Sequence, residues 1–397
     1  MARKLQLLEG CREPLHFPVY DMRAGCRNQA QETNVNVAVS VLPSARAGRR
    51  LRIAQVAPLA ESVPPRGYGG TERVVSVLTE GLVQRGHDVT LFASGDSVTS
   101  ARLVAIVPQA LRLEPACQEQ LPYLYLQLEK VVQCARNFDV VHFHEPFINY
   151  LAARHCLPPN VTTVHGRLDL PDFAPLQREF REIPLISISY AQREPMPWSN
   201  WIDNVYHGYH PSAFRFSERH AGYLAFVGRI APEKRPDRAI RIALEAGIPL
   251  KIAAKVDPAD REYYDTVIRP LLKDPLVEFL GEVDDAGKQE LFGGAMASLL
   301  PIDWPEPFGL TIIEAMACGT PTIAFRAGSV PEVIRHGRSG FIVRDVAEAV
   351  RILPDAERLD RRGVRSAFEQ SFTADRMIDQ YCAAYERLLD SQIARMA

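Results

Sequence analysis

The chain alternates between two hydrophobic periods. Short β-branched runs are separated by longer stretches in which apolar residues recur at helical spacing, the arrangement of a parallel sheet covered by helices. The first series of runs is "RIAQVAP", "DVTLFAS", "DVVHFHE", "NVTTVHG" and "PLISISY"; the second is "YLAFVGR", "PLKIAAKV", "VEFLGEV", "ASLLPID" and "TPTIAF". Both series open alike. "RIAQVAP" leads through a glycine-rich loop into the helix "TERVVSVLTEGLVQRG" and the strand "HDVTLFAS", while "YLAFVGR" leads through "IAPEKR" into "PDRAIRIALEAG" and "IPLKIAAKV". Gly86 and Gly247 close the two helices, where the left-handed position past the helix end favours glycine. The repeated plan predicts two doubly wound α/β domains facing one another. Ligands of such sheets sit beyond the carboxyl ends of the strands, so the loops there are where chemistry is expected.

This pattern begins only at Leu51. Residues 1–50 show no sustained period and a mild excess of arginine over acids, and are expected to form an irregular N-terminal extension. The expected division is 51–206 for a first domain, 207–372 for a second and 373–397 for a C-terminal helix, with "WIDNVYHGYHPSAF" (Trp201–Phe214) as the connection. At 397 residues, 47% hydrophobic and 24% charged, the chain has the composition of an ordinary globular protein with two cores. A net charge of −2 gives no field that would draw it to nucleic acid. No apolar run approaches the roughly 18–20 residues of a membrane span, although peripheral membrane contact through a local patch stays open. Seven scattered cysteines without CxxC spacing point to free thiols in a reducing cytoplasm, and "MARKLQLLEGCREPL" is too short in apolar residues for a secretory signal.

Three stretches carry candidate chemistry. In "PEPFGLTIIEAMACG" (Pro305–Gly319) the prolines hold Glu306 in a loop, and a helix is predicted from Phe308–Gly309 to Gly319. Ile312, Ile313, Met316 and Ala317 form its apolar face, with Glu314 and Thr311 on the other side. Two carboxylates could thus face one ligand across a helix N-terminus, whose free N–H groups make a phosphate seat; the plainer reading is a solvated Glu306 and an ordinary ion pair at Glu314. "VGRIAPEKR" (Val227–Arg235) puts Arg229 and Lys234 at a strand's carboxyl end, with Gly228 permitting close backbone approach. A solvated basic loop or a diphosphate grip would both use these residues, and the helix terminus in the same domain favours the diphosphate. "PPRGYGGTERVV" (Pro64–Val75) is not GxGxxG, which weakens a hydride-transfer reading. Gly69 and Gly70 still allow a ligand near backbone N–H groups, with Thr71 as a candidate N-cap, or they form a simple strand-to-helix turn.

His142, His144 and His165 fall near strand ends in "HFHEP" and "TVHGRLD". No third residue completes a metal-ligand spacing with His142 and His144, so no metal is expected there. His165 is the candidate for touching a polar substrate, or else a structural histidine at a strand end. The sequence has no DxD, so Arg229, Lys234 and the helix dipole would carry diphosphate charge without a metal. Neither a GxSxG elbow nor a Walker A loop occurs.

These motifs resemble those of the retaining glycosyltransferases of family 4, which have the GT-B fold. The resemblance rests on Glu306–Glu314 within "PEPFGLTIIEAMACGTPTIA", on "VGRIAPEKR" and "GSVPEVIRHGRSGFIV", and more loosely on "GYGGTERVV" and "TVHG"; it spans Leu51 to Leu389. It implies two facing Rossmann-like domains, the first binding an acceptor and the second a nucleotide sugar. It also implies that "DRMIDQYCAAYERLL" is a last helix crossing back onto the first domain. By the same resemblance Glu314 would bind ribose hydroxyls and Glu306 would contact the donor sugar. Arg229 and Lys234 would hold the diphosphate with the N–H groups of Gly309 and Leu310, beside Gly228 and Phe308. Gly70 would approach the phosphate from the first domain, His165 would lie beside the sugar, and Glu282 and Val283 within "LGEV" would edge the base. Where the family usually reads Asn-Gly-Ile-Asp at the domain connection, this chain has "HGYH" (His207–His210).

The resulting expectation is a cytoplasmic enzyme that moves a hexose from a nucleoside-diphosphate sugar to an acceptor hydroxyl with retention, by a front-face route and without metal or cofactor. A nucleotide-sugar epimerase of the same fold, a non-catalytic nucleotide-sugar-binding protein and a Rossmann oxidoreductase are the rivals. Base, sugar and acceptor are not legible.

Overall fold

A computed structural model describes residues 49–396, so all but the last two positions of the expected extension lie outside the described residues. Within the described residues two parallel sheets form. The first has the order β3-β2-β1-β4-β5-β6-β7. Its strands are β1 (Arg52–Val56), β2 (Asp88–Ala93), β3 (Arg102–Ala105), β4 (Val140–Phe143), β5 (Asn160–Thr163), β6 (Leu185–Ser187) and β7 (Trp201–Asn204). The second runs β10-β9-β8-β11-β12-β13. It comprises β8 (Tyr223–Arg229), β9 (Leu250–Lys255), β10 (Val277–Gly281), β11 (Ala295–Leu300), β12 (Thr322–Phe325) and β13 (Gly340–Val343).

Central strands of both sheets are buried along nearly their whole length because helices cover both faces. β1 pairs with β2 and β4 on its two sides, Ile53 lying opposite Val89 and Val140. β8 likewise sits between β9 and β11. Strand order reverses at β1/β4 and at β8/β11, and a crevice opens beyond the carboxyl ends at each reversal. All ten runs read from the pattern are strands. β3, β7 and β13 were not read as strands, and β7 lies inside the stretch taken as the connection: Trp201–Asn204 continues the first sheet before the chain crosses.

The Gly70–Gln84 helix buries Val74, Val75, Leu78 and Leu82. It ends with Gly86 at φ 86°, and the Pro236–Ala246 helix ends with Gly247 at φ 66°, both in the left-handed region foreseen for them. Thr71 is not the cap of the first helix; Gly69, at φ 149°, occupies that position and no side chain caps the end. The Ala374–Met396 helix crosses back onto the first domain, setting Ala374, Met377, Ile378, Tyr381, Tyr385 and Leu388 against Ile53, Val74, Leu78 and Leu82. The close approach requires Gly81, where any Cβ would overlap Ile378. Each fully buried Leu or Ile in such a seam contributes about 1.5–3 kcal/mol. Among the described residues no helix is long and apolar enough to cross a membrane.

Candidate active site

Between the two sheets lies a cavity of about 480 Å³. Its lining brings together every candidate: Gly70, His165, Gly228, Arg229, Lys234, Glu282, Val283, Glu306, Phe308, Gly309, Leu310 and Glu314. They come from both domains, and each follows or lies near the carboxyl end of a strand.

On the second-domain wall, the loop after β11 carries Glu306, 9% exposed. Its Oε2 accepts from Lys234 Nζ at 2.5 Å and from Trp304 Nε1 at 3.0 Å. The Lys234 ammonium also lies 4.4 Å from the centroid of the Trp304 ring, a cation–π contact that sharpens its position. Gly309 then turns the chain into the Leu310–Ala317 helix with φ 85°. A Cβ there would stand 2.9 Å from Ile312 Cδ1, so both the dihedral and the space call for glycine. No side chain caps this helix, and its first N–H groups face the cavity as an anion seat.

Glu314 already has protein partners, the ion pair that the plainer reading of the sequence allowed. It is 2% exposed, and its Oε1 accepts from Lys288 Nζ at 2.7 Å and from Tyr209 O–H at 2.9 Å. Burial of the carboxylate is matched by a cation and a hydroxyl supplied by the protein itself. Arg229 is also engaged: it pairs with Glu233, and its Nε lies 3.2 Å from Asp260 Oδ2. At that separation the two charges attract, yet Nε makes no hydrogen bond, because N–H donation is strongly directional. Arg229 is therefore held in a carboxylate cage with a donor to spare.

On the first-domain wall a row of buried polar groups reaches the cavity. Tyr381 O–H lies 3.1 Å from Thr163 Oγ1, which lies 2.7 Å from His142 Nε2. His142 Nδ1 is 2.7 Å from Tyr385 O–H, and Gln55 Nε2 donates to that hydroxyl at 3.0 Å. Gln55 Oε1 is 2.7 Å from His144 Nε2, and His144 Nδ1 is 2.9 Å from His165 Nε2. The His165 ring stacks on His207 with centroids 5.2 Å apart, and His207 meets Phe308 edge-on at 4.9 Å. Burial holds His165 neutral, its conjugate acid pushed down to about 3, and lowers His142, His144 and His207 in the same sense. Among the described residues no group of three His, Cys, Asp or Glu could hold a metal ion.

Contacts between the walls close the cavity. Tyr68 N–H donates to Glu282 Oε1 at 2.9 Å, and Arg73 pairs with Asp285. Gly70 faces Leu310, whose Cδ1 would lie 3.1 Å from a Cβ at that position. A further contact joins the domains where Glu332 accepts from the N–H groups of Tyr190 and Ala191 at 2.8 and 2.6 Å. Lys288, Tyr209, Trp304, Tyr68 and Glu72 have no role in the sequence reading, which singles out His142, His144 and His165 but not the hydrogen bonds that join them. Lys288 lies in an unremarkable polar helix, Asp285–Gly294, 26 residues before its partner, and no local signal marks it.

The two facing parallel-sheet domains with a cleft between them form the GT-B fold. Residues 68–215 match glycosyltransferase family 4 and residues 215–357 match the glycosyl transferases group 1, together more than half of the chain. The chain belongs to this family of glycosyltransferases. It is 26% identical to the D-inositol 3-phosphate glycosyltransferase of Mycolicibacterium smegmatis, over 87% of this chain and 93% of that one. It is 28% identical to the phosphatidyl-myo-inositol mannosyltransferase of Mycobacterium leprae, over 74% of this chain and 83% of that one. Among solved structures it resembles AviGT4, a glycosyltransferase involved in avilamycin A biosynthesis, with a TM-score of 0.67, 25% identity and coverage of 86% of this chain and 98% of that one.

Proposed function

We propose that the protein transfers a hexose from a nucleoside-diphosphate sugar to an acceptor hydroxyl with retained anomeric configuration and without a metal ion. One observation carries this reading. Arg229, Lys234 and the uncapped Leu310–Ala317 helix terminus line the same cavity as Glu306 and Glu314, from one domain and facing the other. Two fixed cations and a helix N-terminus are the complement of a diphosphate.

In this reading the ion pairs of the free protein are exchange partners. A diphosphate entering the cavity takes contacts from Lys234 and Arg229 that Glu306 and Glu233 otherwise hold. Glu306 is thereby turned toward the sugar, and Glu314 with Lys288 presents a fixed polar pair to the ribose. As the glycosidic bond to the diphosphate lengthens, negative charge grows on the leaving oxygen and positive charge on the ring. Arg229, Lys234 and the helix dipole stabilise the first; Glu306 stabilises the second. No side chain is assigned as a covalent nucleophile. The acceptor hydroxyl attacks from the face the diphosphate leaves, and its proton passes to the departing phosphate oxygen, so bonds and charge balance without a cofactor. His165, neutral at working pH, offers an uncharged polar edge beside the sugar. From the two named relatives we carry over a hydroxyl nucleophile, and not the phosphate their acceptors bear.

The test is NMR-monitored reaction of UDP-, GDP- and ADP-sugars, with EDTA present. A new glycoside with the donor's anomeric configuration is expected; an inverted product, or an epimerised donor formed with no acceptor, overturns the reading. Arg229→Ala is expected to lose about 2–4 kcal/mol of transition-state stabilisation, the scale of a deleted oxyanion donor. Wild-type kcat/KM in that variant would remove Arg229 from its role.

A further inference from the structure

The first-domain wall has a charge the transfer scheme leaves idle. Its cations are committed: Arg112 pairs with Glu61 and lies 3.9 Å from Glu282, and Arg73 pairs with Asp285 while donating to the Gly67 carbonyl at 2.8 Å. Glu72 is left over. It is the third residue of the Gly70–Gln84 helix, 5% exposed, and lines the cavity. Among the described residues its carboxylate has no side-chain hydrogen bond and no ion pair; its own backbone N–H, the uncapped first turn of its helix and the more distant Arg112 favour its charge. Burial pushes it up to about 7, and Glu61 and Glu145 add to the rise. A carboxylate this buried, unpartnered and open to a ligand cavity lacks the hydrogen bonds that such groups ordinarily find.

We propose that Glu72 recognises the acceptor, and that the acceptor it fits is an uncharged hydroxyl-bearing molecule, a sugar or cyclitol with no phosphate or carboxylate at the end seated against it. The inference rests on the transferase reading and names its second substrate. A hydroxyl donating to Glu72 forms a charge-assisted bond that replaces the water lost on closure. A phosphate in the same place meets the Glu72 carboxylate, with Glu145 behind it, in a medium of low dielectric, while Arg112 and Arg73 each already hold a carboxylate and only the Arg112 Nη1 keeps a free donor among the described residues. That arrangement discriminates by repulsion as well as attraction.

The experiment uses the full-length protein, the nucleotide sugar it consumes fastest, and matched acceptors: glucose with glucose 6-phosphate, glycerol with glycerol 3-phosphate, myo-inositol with its monophosphate. The uncharged member is expected to be glycosylated at least about tenfold faster, a difference worth one decade of kcat/KM. Glu72→Gln is expected to lose about tenfold on the uncharged member, and Glu72→Lys to narrow or invert the preference. Thermal unfolding with and without UDP controls for folding of the variants, and the wild-type ratio needs no variant. Equal or faster transfer to the phosphorylated members overturns the inference. So does hydrolysis of the donor with no uncharged member glycosylated, and so does undiminished transfer by Glu72→Gln. Failure to consume any nucleotide sugar, by transfer or by hydrolysis, sinks the transferase reading itself and the inference with it.

Discussion

The two walls of the cleft handle charge in opposite ways. On the second-domain wall each functional cation has a carboxylate in reach: Lys234 with Glu306, Lys288 with Glu314, Arg229 with Glu233 and Asp260. The first-domain wall also pairs its two guanidinium groups, Arg112 with Glu61 and Arg73 with Asp285, but adds neutral imidazoles and one uncompensated carboxylate, Glu72. A wall of paired charges can exchange an internal anion for an external one at modest net cost, since the cations are never left bare. A wall of neutral acceptors and a lone buried acid selects for groups that donate hydrogen bonds. The same fold thus presents a surface for a polyanion opposite a surface for hydroxyls.

The largest test of this contrast is Glu314→Ala. If Glu314 belongs to a structural pair, its removal leaves Lys288, whose side chain is 12% exposed, buried without its anion. The expected loss is about 3–5 kcal/mol of unfolding free energy in urea, and Lys288→Met in the same chain should recover much of it. A loss near zero would mean that the Lys288 pair is incidental and that Glu314 is kept for ligand alone.

Glu72 should behave in the reverse manner. Burial raises it to about 7 from the 4.5 of a free glutamate, so the native state holds a proton that the unfolded chain has released. Stability from this group is fully present below the unfolded value and is lost as pH rises through about 7. Glu72→Gln is therefore expected to be more stable than wild type by up to about 3 kcal/mol at alkaline pH and equal to it in mild acid, read from urea midpoints in both conditions. Wild-type stability at alkaline pH would show that Glu72 has solvent or a partner it lacks here.

Which parts of this contrast are legible in the sequence follows from locality. The motifs around Arg229, Lys234, Glu306 and Glu314 are contiguous, each attached to a strand end that its own apolar run announces, and all line the cavity. β3, β7 and β13 are less visible because each is an outer strand of its sheet. "RLVA" and "WIDN" are partly exposed along most of their length and lack the continuous apolar signature of strands buried on both faces. Glu72 stood in plain view within "GYGGTERVV", yet nothing local says that a residue in the first turn of a helix will be 5% exposed. Lys288 and Tyr209 are partners of Glu314 only through tertiary contacts across 26 and 105 residues. Pairings of that kind are set by the packing of whole elements, so a pattern reading of Glu314 finds the buried acid and allows it an ion pair without naming the partner.

The histidines make a third, smaller test, with the opposite pH sign from Glu72. His165 sits near 3 in the native state against 6.5 in the unfolded chain, so the unfolded chain binds the extra proton. Stability is complete above about 6.5 and falls as pH drops toward 3. At pH near 5 this one ring is expected to account for about 2 kcal/mol, visible as a lower urea midpoint that His165→Gln should partly relieve. A flat profile between pH 7 and 5 would mean that the row opens to water.

The smallest effect distinguishes the middle of that row from its end. Tyr385 bridges Gln55 and His142, so its hydroxyl is bonded on both sides. Among the described residues the Tyr381 hydroxyl bonds only Thr163, whose own hydroxyl keeps its bond to His142 Nε2 at 2.7 Å when the phenol is removed. Tyr381→Phe thus deletes one terminal hydrogen bond from a fully buried ring and is expected to lose about 1 kcal/mol, with transfer rates unchanged. Tyr385→Phe strands two buried polar groups and should lose more, by up to about 3 kcal/mol, while disturbing the Gln55–His144–His165 end that reaches the cleft. Equal losses in the two variants would mean that the row is a set of independent contacts. A larger loss at Tyr385, accompanied by slower transfer, would mean that the C-terminal helix holds the first-domain wall in register through this row, in addition to covering its core.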